Sequence, residues 1–299
     1  MNKRKILALG FFDGVHRGHS ALLKACRGLA DSLGVTAGAV TFDIHPMSLT
    51  KGHSPLLINT PADRDALMQD QGIHEIVTLA FDEQLRCLSW QDFLRLLMEK
   101  HGAAGFVCGS DFRFGYLGEG SAMCLLQFAK AHDLPCVIVP RLSLGSTVIS
   151  SSHIRSLLKD GSMEEANRFL GHPHRLTGKV IPGQHLGRTL GTPTANLAFP
   201  DTLAIPRFGV YACLAHVEGK TYAAVTNVGT RPTVDGRTVT IEPWLIKFDG
   251  DLYGKEILLE FYSFLRPERK FESLEELKAE IHRNALQTWQ YFRDRNLLP

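Results

Sequence analysis

The chain has 299 residues, which is enough for two domains and more than one small core requires. Its 33 basic and 31 acidic residues nearly cancel. This balance excludes the strongly basic surface of a general nucleic-acid-binding protein and the basic patch that attracts proteins to anionic membranes. It remains compatible with a small anionic ligand.

The six cysteines are scattered through apolar contexts, without a C-x-x-C pair or the cysteine–histidine spacing of a metal site. This usage is typical of small core residues in a reducing compartment. The basic residues before the apolar run Ile6–Leu9 resemble the start of a signal peptide, but the run is too short and no cleavage site follows. No apolar stretch approaches the roughly 20 residues of a membrane span. We therefore expect a cytoplasmic protein.

The first predicted elements are a buried strand and an amphipathic helix, joined by a glycine-rich turn. Ile6–Leu9 is a short unbroken apolar run of the kind found in parallel sheets. Apolar residues then recur at helical spacing between positions 21 and 33. His16 and His19 therefore fall on a strand-to-helix turn.

This turn has the properties of an anion-binding site. The start of a helix presents unpaired N–H groups and a partial positive charge, and Gly14 and Gly18 lack a Cβ that would keep a ligand from the backbone. His16 and His19, three residues apart, can point at one anion and stabilise the negative charge that develops at phosphorus during nucleotidyl transfer. The alternative is a glycine-rich turn with two surface histidines.

Up to about residue 170, short apolar runs alternate with segments of helical periodicity. The further predicted strands are Val35–Phe42, Glu75–Leu79, Gly105–Cys108 and Cys136–Val139. Helices are expected to begin at Pro61, after Thr60, and at Trp90, after Ser89. The alternation predicts an α/β domain with a doubly wound parallel sheet, whose ligands gather at the carboxyl ends of the strands.

A second hydroxyl-rich helix start is predicted at Ile149–Arg155. Ser151, Ser152 and Arg155 would hold the β- and γ-phosphates of a nucleotide there and stabilise the departing pyrophosphate. The alternative is a serine-rich N-cap without a ligand.

From Arg175 to about Leu265 the sequence changes to short β-rich segments, which predict a small antiparallel barrel or sandwich. The predicted strands are Leu176–Ile181, Val210–Val217, Thr221–Val228, Thr238–Ile246 and Ile257–Leu265. Turns are expected at Glu218-Gly219 and at Asp235-Gly236.

One long helix closes the chain. It opens with the capping box Ser273–Glu276, and its predicted apolar stripe consists of Leu274, Leu277, Ile281, Ala285 and Trp289. We expect two domains, at residues 1–172 and 173–299, with the boundary near His172.

Two stretches resemble the signatures of one known family. Gly10–His19, Gly-Phe-Phe-Asp-Gly-Val-His-Arg-Gly-His, is similar to a signature of the prokaryotic bifunctional riboflavin kinase/FAD synthetases, whose first domain belongs to the H-x-G-H nucleotidyltransferase superfamily. Pro193–Asn196, Pro-Thr-Ala-Asn, preceded by the glycine-rich segment 187–191, resembles their riboflavin kinase signature. Ile149–Arg155 is similar to the superfamily motif I-S-S-T-x-I-R, with Ser152 where threonine is usual and His153 where arginine is common. The resemblance covers nearly the whole chain.

In the first domain, the resemblance implies that His16, His19 and Arg155 are catalytic. It places the nucleotide at Gly10, Phe12, Gly14, Gly18, Asp111, Ser151 and Ser152, and the flavin at Phe42, Pro46 and Phe112. From the residues alone, Phe42 is equally a core residue and Asp111 is equally the cap of a turn.

In the second domain, the resemblance implies that Thr194 and Asn196 hold Mg²⁺ and that Glu242 accepts the proton of the riboflavin 5′-hydroxyl. The nucleotide is expected at Gly187, Arg188, Gly191 and Thr194, and the flavin at Asn227 and Arg231. Burying an unpaired carboxylate inside an apolar strand is costly, which favours a function for Glu242. The alternative is an outward-facing residue on an alternating strand.

The function implied is the phosphorylation of riboflavin to FMN by the second domain, followed by adenylylation of FMN to FAD by the first. Mg²⁺ is the expected cofactor and ATP the co-substrate, with riboflavin and FMN as the other partners. Neither nucleic acid nor a membrane is expected as a partner, and weak self-association stays open. Two alternatives are a kinase with a weakened adenylyltransferase domain and a flavin-binding regulator without turnover.

Overall fold

The computed structural model describes residues 4–50, 52–182, 192–233 and 236–298. These residues form two compact units. The first unit comprises Met1–Leu57 and Pro61–Ser151, and the second comprises Ile58–Thr60 and Ser152–Pro299. The second unit thus begins ahead of the predicted division at residue 172.

The first unit contains a five-stranded parallel sheet with the strand order β3-β2-β1-β4-β7. These strands are β1 (Lys5–Leu9), β2 (Thr36–Phe42), β3 (Glu75–Leu79), β4 (Ala103–Gly109) and β7 (Cys136–Val139). The short strands β5 (Arg113–Phe114), β6 (Gly120–Ser121), β8 (Ser143–Leu144) and β9 (Thr147–Val148) form two separate two-stranded sheets. The four further predicted strands of this half are confirmed.

Helices cover both faces of the parallel sheet. They are α1 (Arg17–Leu33), α2 (Met47–Thr50), α3 (Pro61–Asp70), α4 (Glu83–Arg86), α5 (Trp90–His101) and α6 (Ala122–Ala131). Because successive side chains of a strand alternate between faces, Ile6 and Ala8 pack with α1 and α3, while Leu7 and Leu9 pack with α5 and α6. This two-sided burial explains the unbroken apolar run of β1 and confirms the doubly wound α/β fold.

The second unit contains a six-stranded antiparallel sheet with the strand order β11-β10-β15-β12-β13-β14. Its strands are β10 (His174–Ile181), β11 (Asn196–Ala198), β12 (Gly209–Val217), β13 (Lys220–Thr233), β14 (Gly236–Leu245) and β15 (Glu256–Arg266). The N–H of Ala195, just before β11, donates to the carbonyl of Pro243 on β14 at 2.9 Å, so the two edges approach and the sheet nearly closes into a barrel. Glu218 and Gly219, both at positive φ, form the predicted turn between β12 and β13. Asp235 lies outside the described residues.

Three helices complete the second unit: α7 (Ser151–Asp160, from Ser152 onward), α8 (Met163–Leu170) and α9 (Leu274–Arg293). The Ser273 side chain caps α9 by accepting the N–H of Glu276 at 3.1 Å, as predicted. The predicted stripe is wrong at Leu274, which is 65% exposed. The buried face instead carries Glu280 and Asn284, whose polar groups are satisfied by the neighbouring Arg266. Across the described ranges, no helix combines the length and the apolar character needed to cross a membrane.

Candidate functional site

The glycine-rich turn between β1 and α1 has a strained backbone. Phe12 and Val15 adopt positive φ values of 60° and 38°, which are rare for residues other than glycine. Gly14 has a φ of 80°, where a side chain would add to the strain. Backbone strain of this kind is found at binding sites, where the surrounding structure maintains it.

His16 and His19 are brought together by this turn. His16 is the N-cap of α1, and its Nδ1 accepts the N–H of His19 at 3.2 Å. Because Nδ1 is an acceptor, the ring proton of a neutral His16 lies on Nε2. The two imidazole rings stack 3.7 Å apart with an interplanar angle of 10°. A Cβ at Gly18 would lie 3.1 Å from the His16 ring, so glycine leaves room for this stack.

Both the burial of His19 and the neighbouring His16 lower the pKa of His19 well below its usual range. The ring is therefore neutral near pH 7. A neutral imidazole at a helix N-terminus donates an N–H hydrogen bond to an anion without a change of protonation. This chemistry fits the stabilisation of charge on a phosphate.

Two side chains hold the turn in place, and neither is among the site residues predicted from the sequence. The buried Arg64 on α3 donates from Nη1 to the carbonyl oxygens of Phe11, at 3.4 Å, and Phe42, at 3.3 Å. Thr41 donates to the same carbonyl of Phe11 at 3.1 Å. These bonds tie the turn to the carboxyl end of β2. The sequence marks α3 only by the proline at its start, and nothing in it indicates this role for Arg64.

The first residue of α7 also reaches the turn. Ser151 donates from Oγ to the carbonyl of Asp13 at 2.9 Å, so this predicted nucleotide-binding residue lies beside the histidine turn. In the second unit, Arg155 donates from Nη2 to the hydroxyl of Ser152 at 3.4 Å. His153 packs edge-on against Phe169 of α8, with 4.7 Å between ring centroids. The phosphate-binding roles of Ser152 and Arg155 stay predictions.

A cavity of about 400 Å³ in the first unit contains all three residues predicted to bind the flavin. Phe42, Pro46 and Phe112 lie in its wall. Phe81 and Phe114 add two further aromatic rings, with centroids 5.1 Å from Phe42 and 5.4 Å from Phe112. Aromatic walls suit a flat heterocycle, because rings pack against one another in offset or edge-on arrangements. Phe42 is therefore a cavity residue as well as the end of a strand.

Asp111 lies apart from the residues that line this cavity. Its Oδ2 is 3.4 Å from Nε of Arg141, and both side chains are more than half exposed. Gly10 lies against the ring of the buried Phe12, where an added Cβ would come within 3.2 Å. Gly10 and Phe12 therefore shape the turn, while nucleotide contact by these residues and by Asp111 stays a prediction.

Thr194 lies in the wall of two cavities formed by described residues of the second unit. One, of about 250 Å³, is formed by Pro193–Ala195 together with the loop Phe248–Tyr253. The other, of about 390 Å³, contains Thr194, Asn227, Glu242 and Trp244. Thr194, which carries a hydroxyl, thus lines both spaces, an arrangement that suits the transfer of a group between two bound molecules.

Glu242 is part of a polar cluster at the larger of these two cavities. Arg231 donates from Nη2 to Oε1 of Glu242 at 2.6 Å and to Oδ1 of Asn196 at 3.2 Å. Asn227 on β13 stands directly opposite Glu242 on β14. The guanidinium of Arg231 thus joins Asn196 to Glu242, and the contact of Arg231 with the flavin stays a prediction.

Helix α9 lies over the face of β14 that carries Glu242. Ile241, Pro243 and Leu245 are buried on one face of β14, so Glu242 and Trp244 point to the opposite face. That face is not open solvent, because Leu277, Ile281 and Asn284 of α9 line the same cavity. The alternation of the strand correctly indicated an outward-facing residue, but it held no information about the helix that lies over it. The predicted nucleotide-binding residues Gly187, Arg188 and Gly191 lie outside the described residues.

Two family models match the chain, in separate parts. A model described as FAD synthetase matches residues 1–153, and one described as riboflavin kinase matches residues 170–292. Among curated proteins, the bifunctional riboflavin kinase/FMN adenylyltransferase of Listeria monocytogenes is 34% identical over 291 residues, covering 96% of this chain and 92% of that protein. The protein of the same name from Bacillus subtilis is 34% identical over 294 residues, covering 97% and 93%.

A solved structure from Streptococcus pneumoniae, described as a macrolide-efflux protein, has the same two-part architecture. It matches this chain with a TM-score of 0.87 and 30% sequence identity, covering 96% of this chain and 94% of that one.

Proposed function

This chain belongs to the family of bifunctional riboflavin kinase/FMN adenylyltransferases, and from this premise we propose which of its residues carry the two reactions. The enzyme phosphorylates riboflavin to FMN and then adenylylates FMN to FAD, with ATP as co-substrate of both steps. The relatives named above carry both activities in their names, so neither alternative is favoured, whether a kinase alone or a flavin-binding regulator.

In the kinase reaction, riboflavin occupies the larger cavity of the second unit and ATP the smaller one. The shared wall at Thr194 is the observation that carries this assignment, because it places the two substrates on either side of one residue. Oε1 of Glu242 is held by Arg231, and its other carboxylate oxygen accepts the proton of the riboflavin 5′-hydroxyl. That oxygen of riboflavin then attacks the γ-phosphorus of ATP, the bond from this phosphorus to the β–γ bridging oxygen breaks, and ADP leaves.

Thr194 and Asn196 provide the oxygens for Mg²⁺. A hydroxyl and an amide carbonyl are hard ligands, and Mg²⁺ takes few protein ligands when it also binds phosphates and water. Oδ1 of Asn196 already accepts a hydrogen bond from the positively charged Arg231, which supports the proposal that this oxygen binds a cation. When bound, Mg²⁺ supplies neutralisation of charge on the transferred phosphoryl group.

In the adenylyl transfer, the aromatic cavity of the first unit holds the flavin ring of FMN and the histidine turn holds the phosphates of ATP. An oxygen of the FMN phosphate attacks the α-phosphorus of ATP, and pyrophosphate leaves. The attacking oxygen is already an anion, so the step needs no general base. His16 and His19 then act as N–H donors to the charge that develops on the reacting phosphate, with help from the start of α1.

We assign the adenylyltransferase activity to residues 1–172 and the kinase activity to residues 173–299. The two family models support this order, since they match residues 1–153 and 170–292. A cytoplasmic location is supported by the six cysteines, all of them unpaired thiols, as expected in a reducing compartment.

The test separates the two steps in one assay. The enzyme is incubated with riboflavin, Mg²⁺ and ATP, and FMN and FAD are quantified by chromatography. We expect Glu242→Ala to slow FMN formation at least 100-fold, the range that a general base provides, while FMN supplied directly is still converted to FAD. We expect His19→Ala to slow FAD formation by a similar factor while FMN accumulates.

Two matched variants control for unspecific damage. Glu218→Ala removes an exposed carboxylate from the second unit, and His53→Ala removes an exposed histidine from the first. Both should leave FMN and FAD formation within about twofold of the unchanged enzyme. Loss of both activities in either Glu242→Ala or His19→Ala would contradict the assignment of separate sites.

A further inference from the structure

A single guanidinium nitrogen of Arg231 bridges two oxygens with different roles in the proposed kinase reaction. Nη2 lies 2.6 Å from Oε1 of Glu242, the proposed base, and 3.2 Å from Oδ1 of Asn196, a proposed Mg²⁺ ligand. The short distance to Glu242 is typical of a charge-assisted hydrogen bond. The positive charge of Arg231 thus lies between the proposed Mg²⁺ ligand, Asn196, and the proposed base, Glu242.

The contact requires Arg231 to extend along the sheet. On the paired strands β13 and β14, Arg231 stands opposite Thr238, whereas Glu242 stands opposite Asn227, four residues away. The guanidinium reaches Glu242 with its long flexible side chain, and that side chain remains 31% exposed. The guanidinium of Arg231 does not lose its proton at physiological pH. Its positive charge therefore leaves this position only if the side chain moves.

The geometry points to Arg231 as a displaceable counter-cation of the kinase site: its guanidinium, which lies between Asn196 and Glu242, is displaced from Asn196 when Mg²⁺ binds with the nucleotide. This inference rests on the proposed function of Thr194, Asn196 and Glu242. Two positive groups cannot share the oxygen of Asn196 without strong repulsion, because like charges a few ångströms apart repel in a partly buried site. Binding of Mg²⁺ therefore has to break the hydrogen bond of Arg231 to Asn196.

The inference predicts that loss of Arg231 strengthens Mg²⁺ binding. Arg231→Met keeps a long side chain but removes the competing charge. The apparent Mg²⁺ affinity, measured with saturating ADP, should then increase roughly tenfold, the factor that corresponds to one charge-assisted hydrogen bond no longer broken. Arg231→Lys retains a charge without the two-pronged geometry and should give a smaller increase.

Tryptophan emission provides a readout that does not depend on turnover. The chain has three tryptophans, and Trp244 lies in the wall of the cavity that contains Glu242. In a Trp90→Phe background, which leaves no tryptophan in the first unit, Mg²⁺ is titrated into the full-length protein with ADP present. The rise in melting temperature caused by Mg²⁺ and ADP, relative to ADP with a chelator, is the second measurement and should be larger for Arg231→Met.

Two controls make the outcomes distinct. Arg293→Met removes an exposed guanidinium from the same unit and should leave the Mg²⁺ affinity unchanged. Asn196→Ala should weaken Mg²⁺ binding. If it does not, the proposed metal site has failed rather than the inference about Arg231. Unchanged or weaker Mg²⁺ binding by Arg231→Met, with Asn196→Ala behaving as expected, would overturn the inference. A merely structural role of Arg231 predicts that weaker binding.

Discussion

His174, at the start of β10, is a buried histidine whose ring has no hydrogen-bond partner. Its side chain is 1% exposed, and within the described residues neither Nδ1 nor Nε2 is paired. The backbone N–H of His174 donates to Oδ1 of Asn167 at 2.8 Å, so the missing hydrogen bonds are those of the two ring nitrogens. Burial, and to a smaller extent the neighbouring His172, lowers the pKa of the ring to about 3.

This pKa makes the second unit sensitive to acid. Between the ordinary histidine pKa of about 6.5 and the folded value of about 3, the unfolded chain binds a proton that the folded chain does not. The free energy of unfolding is unaffected by this group above pH 6.5. It falls as the pH decreases through that window, with a slope of up to roughly 1.4 kcal/mol per pH unit.

His174→Leu should therefore stabilise the protein, and should do so more strongly at lower pH. At pH 7 we expect an increase of roughly 1 kcal/mol, because two unpaired buried nitrogens are replaced by apolar atoms. At pH 5 the gain should be larger, because the unfolded chain with His174 is then also stabilised by protonation of the ring. Urea unfolding at both values measures the difference, with His53→Gln, which replaces an exposed histidine, as the control. An equal gain at the two pH values would show that the ring of His174 titrates normally.

At the scale of single residues, the sequence was informative where a motif is local. The histidine pair could be predicted because His16 caps the helix that carries His19, so both positions follow from one strand-to-helix turn. Arg64 could not be predicted, since it acts through the carbonyl groups of Phe11 and Phe42, which are distant in sequence. The partners of Arg231 were missed for the same reason.

Helix α9 is attached to the barrel by a carboxylate surrounded by arginines. Glu280 is 6% exposed. Its oxygens lie 3.3 Å from Arg266, 3.1 Å from Arg269 and 2.7 Å from Arg283. Arg266 is the last residue of β15 and Arg269 follows the strand, and both also line the cavity proposed for riboflavin. Glu280 thus fixes the helix and one wall of that cavity at the same time.

Replacement of Glu280 should weaken both the helix attachment and riboflavin binding. Glu280→Gln removes the charge and leaves the partly buried Arg266 without its counter-ion, which should lower the free energy of unfolding by about 3 kcal/mol. The KM for riboflavin should increase, while FMN-to-FAD conversion stays unchanged. Urea unfolding followed by tryptophan emission and the two activity assays measure these effects. Glu275→Gln, an exposed position on the same helix, should change none of them.

The periodicity of α9 predicted the helix and part of its inward face, with Ala285 buried and Leu277 and Ile281 in the cavity wall, but it was wrong at Leu274 and missed the polar residues of that face. An apolar stripe is a reliable guide only when the buried face is apolar, and here the buried face contains Glu280, Asn284 and Thr288. The strands of the barrel were easier to predict, because their turns are local signals. The short strand β11, three residues long, was missed since it begins at Asn196, the last residue of the Pro193–Asn196 motif, and is too short to show an alternating pattern.

At the scale of the whole molecule, each cavity described above is lined by residues of one unit. The aromatic cavity belongs to the first unit, and the two cavities that share Thr194 belong to the second. Under the proposed function, the flavin of each reaction therefore binds in a cavity within one unit. FMN made by one polypeptide should then be a substrate for another.

A mixture of two inactivated enzymes tests this independence. Glu242→Ala and His19→Ala should each fail to convert riboflavin to FAD, whereas an equimolar mixture should regain the conversion, because FMN released by the second variant is used by the first. A chain with both substitutions, alone or mixed with either single variant, should not restore the missing step. Failure of the mixture, although each variant performs its remaining step, would mean that FMN does not leave the polypeptide that makes it.

The path of the chain has an evolutionary consequence. Ile58–Thr60 cluster with the second unit, where the side-chain N–H of Asn59 donates to the carbonyl of Arg175 at 3.0 Å, although the residues on either side belong to the first unit. A single cut after residue 151 therefore separates this tripeptide from the rest of the second unit. A kinase half inherited on its own would lose the hydrogen bond from Asn59 to the second residue of β10.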